Sequence, residues 1–175
     1  IDRSRGLGDV YKRQEHILVA TGCKTRGFPD LPFNGLSVVG SSEAMVMENQ
    51  PKDIIIIGAG AIGVEFAYFF NAFGTKVTIV EMMPNILPVE DHEVSVELEK
   101  SFKKSGIEIL SSTKVIGTED SGNGVEITVQ KEGSDPRTLS SEVALIAIGV
   151  APVLPADFEI DLDLSLIHIS EPTRP

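Results

Sequence analysis

Tryptophan is absent from this 175-residue chain, and cysteine occurs once, at Cys23. One thiol excludes an internal disulfide and fits a reducing compartment. Basic residues are also scarce: 15 Lys and Arg face 26 Asp and Glu, a net charge of −11. That balance argues against nucleic acid or an anionic membrane as a partner. No stretch approaches the roughly 18 consecutive apolar residues of a membrane-spanning helix. The three histidines, His16, His92 and His168, form no cluster in the sequence, and no metal site is expected. With 42% apolar and 23% charged residues, the composition is that of a soluble globular protein, long enough for one domain with a proper core.

Against these absences stands one informative run, residues 53–81, DIIIIGAGAIGVEFAYFFNAFGTKVTIVE. Asp53 opens an apolar, β-branched stretch (Ile54 to Ile57) that reads as a buried parallel strand. The six residues Gly58, Ala59, Gly60, Ala61, Ile62 and Gly63 fit G-x-G-x-x-G at a strand-to-helix junction. Gly58 allows the tight turn, Gly60 lets a pyrophosphate approach the backbone, and Gly63 lets the helix pack on the strand. The helix N-terminus adds unpaired N–H groups and a positive dipole end. Gly74 stops the helix, and residues 76–80 form a second strand closed by Glu81. That carboxylate is spaced to accept hydrogen bonds from adenosine ribose hydroxyls. Met82 and Met83 follow it, with no nearby basic residue in the sequence to receive a 2′-phosphate. NAD(H) is therefore expected over NADP(H), and Glu81→Arg is expected to move the preference towards NADPH.

Upstream, residues 16–20 read as a short strand, 26–36 as an irregular connector, and 41–47 as a short helix capped by Ser41 or Ser42. Downstream, residues 82–90 read as a loop and Asp91 as the cap of a helix. In that helix Val94, Leu98 and Phe102 share one face, and Gly106 stops it. A third parallel strand follows at 107–110. Residues 113–119 and 124–130 then alternate around a turn-rich DSGN, with a third antiparallel strand near 137–139. The apolar run 143–148 returns to the parallel sheet. The expected class is α/β, a Rossmann-like three-layer sandwich with a parallel sheet and a small antiparallel three-stranded excursion.

ILVATG (17–22), IIGAGAIGVEFAYFFNAFGTKVTIVE (56–81), ILPVEDHEVSVELEKSFKKSGIEIL (86–110) and LIAIG (145–149) together resemble the flavoprotein disulfide reductases, most closely the dihydrolipoamide dehydrogenase family. The resemblance implies an NAD-binding domain at 51–151, inserted into an FAD-binding domain. Residues 15–50 would be the end of that FAD domain and a connector, and 152–163 the start of the return to it. It places Gly58 to Glu65, including Val64, around the NAD pyrophosphate, Glu81 on the ribose, Val115 beside the adenine and Gly149 near the nicotinamide. Glu65 would sit near nicotinamide and flavin, or serve only to stabilise the helix dipole. Thr21, Gly22 and Cys23 would pass along the FAD. Cys23 has no C-x-x-x-x-C partner and reads as a non-redox residue. The family's G-R-x-P-N is replaced here by GVAPV, with Val150 and Val153 at its basic and asparagine positions.

The implied parent is a homodimeric, bacterial cytoplasmic enzyme with NAD and FAD as cofactors, serving a 2-oxo acid dehydrogenase complex. The FAD and dimerisation domains would lie outside this chain. Related flavoproteins (NADH oxidase, mercuric reductase, transhydrogenase) and a non-catalytic NAD-binding module remain alternatives. Residues 1–14 (IDRSRGLGDVYKRQ) and 164–175 (LSLIHISEPTRP) resemble translated sequencing-adapter read-through and are set aside as expected non-native tails.

Overall fold

The computed structural model describes residues 19–122 and 124–154. The expected tails, most of the expected strand at 16–20, and Asn123 lie outside them; Val19 and Ala20 are in no strand. The described residues divide into two compact units, a larger one comprising Lys24–Ala151 and a smaller one that includes residues 19–23 and 152–154.

Ten strands and three helices are described: β1 (Cys23–Thr25), β2 (Val38–Val39), α1 (Ser41–Met45), β3 (Asp53–Ile57), α2 (Ala61–Ala72), β4 (Lys76–Val80), α3 (His92–Lys104), β5 (Glu108–Leu110), β6 (Thr113–Asp120), β7 (Val125–Lys131), β8 (Arg137–Ser141), β9 (Val143–Ile146) and β10 (Val150–Pro152). The larger unit is built on a parallel five-stranded sheet of order β2-β9-β3-β4-β5. β6, β7 and β8 form a separate antiparallel sheet, and β1 pairs with β10.

Alternation along the parallel strands explains why they read as continuous apolar runs. Ile54 and Ile56 of β3, Val77 and Ile79 of β4, and Leu145 of β9 face the helices, meeting Val64, Ala67, Phe70 and Phe102. Ile55 and Ile57, Val80, and Ala144 and Ile146 face the other way, against Val125, Ile127 and Val129 of β7. Both faces are dry, so no position in β3 after Asp53 can be polar without losing packing. Helices, parallel sheet and antiparallel sheet make the three layers of a Rossmann-like α/β sandwich.

Several local expectations change. The cap of α1 is Gly40, not Ser41 or Ser42; its N–H donates to the Glu43 carboxylate at 2.9 Å. Val94 is exposed, and the inward position it was expected to hold goes to Ser95, whose hydroxyl donates to the Ile86 carbonyl. β8 runs on to Ser141. β2, the fifth strand of the parallel sheet, has no counterpart in the sequence reading, and neither do β1 and β10. Asp91 does cap α3, accepting the Glu93 N–H at 2.8 Å.

Candidate dinucleotide-binding site

β3 runs into the glycine turn and α2, and then into its neighbour β4. On its other side β3 pairs with β9, which arrives only after the antiparallel excursion. The chain therefore goes to one side of β3 through α2 and returns on its other side at β9, and a crevice opens at the carboxyl ends of β3 and β9. Ligands of open α/β sheets bind at such switch points. A cavity of about 640 Å³ lies there within the larger unit, lined by Ile57 at the end of β3 and Gly58 after it, Glu81 after β4, and Ala147 to Gly149 after β9.

The turn is held by close backbone approaches. Gly58 has φ +103°, and a Cβ there would lie 2.4 Å from the Ala147 carbonyl oxygen. A Cβ on Gly63 would lie 2.0 Å from the Gly58 carbonyl oxygen. Gly60 differs: a Cβ there meets nothing within 4 Å, and Gly60 lines the cavity. Its missing side chain leaves open the space in front of α2. No side chain caps that helix end among the described residues, so its first N–H groups are available to an anion.

Glu81 is 8% exposed and serves as the knot of the site. Its Oε2 accepts the Ala59 N–H at 2.6 Å and its Oε1 accepts the Met83 N–H at 2.7 Å. Its own N–H donates to Leu110, and its carbonyl accepts from Thr113, both at 2.9 Å. Ala59, fully buried, is fixed from the other side as its carbonyl accepts the Leu87 N–H at 2.8 Å. The glycine turn is thus set before any ligand arrives. Each carboxylate oxygen retains acceptor capacity beyond the one backbone bond it makes.

Of the residues expected around NAD, the cavity brings together Gly58, Gly60, Ala61, Ile62, Glu81, Val115 and Gly149. Ala59, Gly63 and Val64 are buried behind them. Glu65 is exposed and lines a second cavity of about 480 Å³ beside Met45, Phe66 and Phe69. Thr21, Gly22 and Cys23 belong to the smaller unit and are exposed; there the Thr21 hydroxyl donates to the Val153 carbonyl, and the Val153 N–H to Gly22. Lys114, which the sequence reading passed over, lines the same cavity as Glu81.

The model of the family described as pyridine nucleotide-disulphide oxidoreductase matches residues 8–164. The chain belongs to that family. Among curated relatives, the dihydrolipoyl dehydrogenase of Mycobacterium tuberculosis is 46% identical over 138 residues, covering 79% of this chain and 29% of the relative. That of Chlorobaculum tepidum is 43% identical over 136 residues, covering 78% and 29%. Solved structures agree with the fold. LpdA from M. tuberculosis superposes with a TM-score of 0.68 at 28% identity, over 75% of this chain and 28% of that one. The flavoprotein disulfide reductase RclA from Escherichia coli gives 0.63 at 30% identity, over 76% and 30%. This chain therefore spans about three-tenths of the length of these oxidoreductases.

Proposed function

We propose that this chain is the NAD(H)-binding domain of a dihydrolipoamide dehydrogenase. The observation that carries the reading is the uncapped N-terminus of α2 opening onto the cavity at Gly60, with the Glu81 carboxylate in the same cavity wall. The helix end and glycine backbone would hold the pyrophosphate. Glu81 would accept from the adenosine ribose with its remaining lone pairs, Val115 would pack beside the adenine, and Gly149 would border the nicotinamide. The dinucleotide, when bound, supplies hydride-transfer chemistry; the protein's part is binding and orientation.

The relatives named dihydrolipoyl dehydrogenase support the parent activity, oxidation of dihydrolipoamide with NAD⁺ through FAD and a redox disulfide. Lone Cys23 supplies no dithiol, so the chain by itself should bind NADH without turning over lipoamide. FAD contact would run along Thr21 to Cys23, with the parent a homodimer within a 2-oxo acid dehydrogenase complex. A calorimetric titration of the full chain with NADH tests the reading. Saturable 1:1 binding is expected, and its absence in a folded sample overturns it.

A further inference from the structure

We propose that Lys114 sets how strictly the cavity discriminates between dinucleotides with and without a 2′-phosphate. The inference rests on the dinucleotide reading above and goes beyond it, because it replaces one specificity residue by an opposed pair, Glu81 and Lys114. Among the described residues that line the cavity, Lys114 is the only lysine or arginine. It stands 33 positions after Glu81 in the chain, but the fold places it at the same end of the cavity. The Thr113 N–H donates to the Glu81 carbonyl at 2.9 Å, which ties the start of β6 to the end of β4. The antiparallel register with β7, Thr113 opposite Lys131 and Lys114 opposite Gln130, fixes the strand on its other side. Lys114 thus cannot slip along the cavity wall without breaking both.

Its neighbours are anchored: Thr113 is buried, and Val115 packs on the inner cluster. Lys114 itself is exposed, and no carboxylate pairs with it among the described residues. It carries its ammonium on a flexible stem and acts as a point charge suited to phosphate. In the lining of the same cavity, the Glu81 carboxylate spends one acceptor position on each oxygen on backbone N–H groups, whose dipoles offset part of its field. A 2′-phosphate at the ribose would then meet a partly compensated anion and a free cation. Glu81 alone would repel it; the pair admits it weakly.

The test is fluorescence titration of the full 175-residue chain with NADH and with NADPH. Lys114→Met is compared with wild type and with Lys104→Met, which makes the same charge change on the exposed surface of α3. Lys114→Met is expected to weaken NADPH roughly three- to tenfold and to leave NADH within about twofold, as for an exposed charge pair. Lys104→Met should move neither. An unchanged NADPH/NADH ratio, or no measurable NADPH binding by a wild-type chain that binds NADH, overturns the assignment of Lys114 alone. No NADH binding by the folded wild-type chain overturns the dinucleotide reading, and this assignment with it. Retained NADH binding shows that Lys114→Met is folded.

Discussion

Within the glycine turn, a methyl group would do opposite things at positions three residues apart. Gly63→Ala drives Cβ into the Gly58 carbonyl, an overpacking that should cost about 1–3 kcal/mol. Gly60→Ala, at φ −71° with open space ahead, should leave stability within about 0.5 kcal/mol and weaken NADH instead. Denaturant midpoints and NADH titrations of the two variants should therefore rank them oppositely; a parallel loss in both would contradict the division of labour. At Glu81 the structure adds a consequence that local sequence spacing does not reveal. Replacing it with arginine deprives the Ala59 and Met83 N–H groups of their acceptor, at roughly 1–3 kcal/mol for each one left unsatisfied. Glu81→Arg should accordingly lower the melting temperature as well as alter cofactor preference, and an unchanged melting temperature would show that these two bonds matter little.

Among the elements, legibility followed range. β3, α2 and β4 were readable because each carries its own signal: an unbroken apolar run buried on both faces, a glycine turn, and Gly74 in the left-handed region at φ +91°. The Asp91 cap was readable for the same reason. Asp91→Ala should cost about 1 kcal/mol, measured as a shift of the denaturant midpoint, and Asp91→Asn should restore most of it. β2 was not readable. Among the described strands its two valines pair with β9 alone, Val38 opposite Ala144 and Val39 opposite Leu145, and a two-residue strand has no period to detect. Val94 was misplaced because a four-residue repeat fits either of two adjacent stripes on a helix; the buried Ser95 hydroxyl bond to Ile86 decides between them. Lys114 went unseen because its relation to Glu81 is made by the pairing of separate strands, not by spacing.

At the scale of the whole molecule, apolar side chains collect on one side of α2. Phe69 and Phe73 are half exposed or more, with Met45 at the end of α1 more exposed still and beside them, and the rings of Phe69 and Phe73 lie 4.9 Å apart. Such a patch should bind an apolar fluorescent dye in the folded state. Phe69→Glu with Phe73→Glu should abolish most of that signal while leaving NADH binding intact. The position of β9 has a consequence for how the molecule comes into being. β9 is the last strand of the parallel sheet in sequence, yet it lies between β2 and β3, with Ile54 opposite Val143 and Ile57 opposite Ile146. During synthesis, β3, β4 and β5 can assemble early, but β2 has no neighbour and β3 keeps an open edge of four isoleucines until residue 146 emerges. A nascent chain halted in the antiparallel excursion therefore carries an adhesive seam, and a translational pause there would favour aggregation over native assembly.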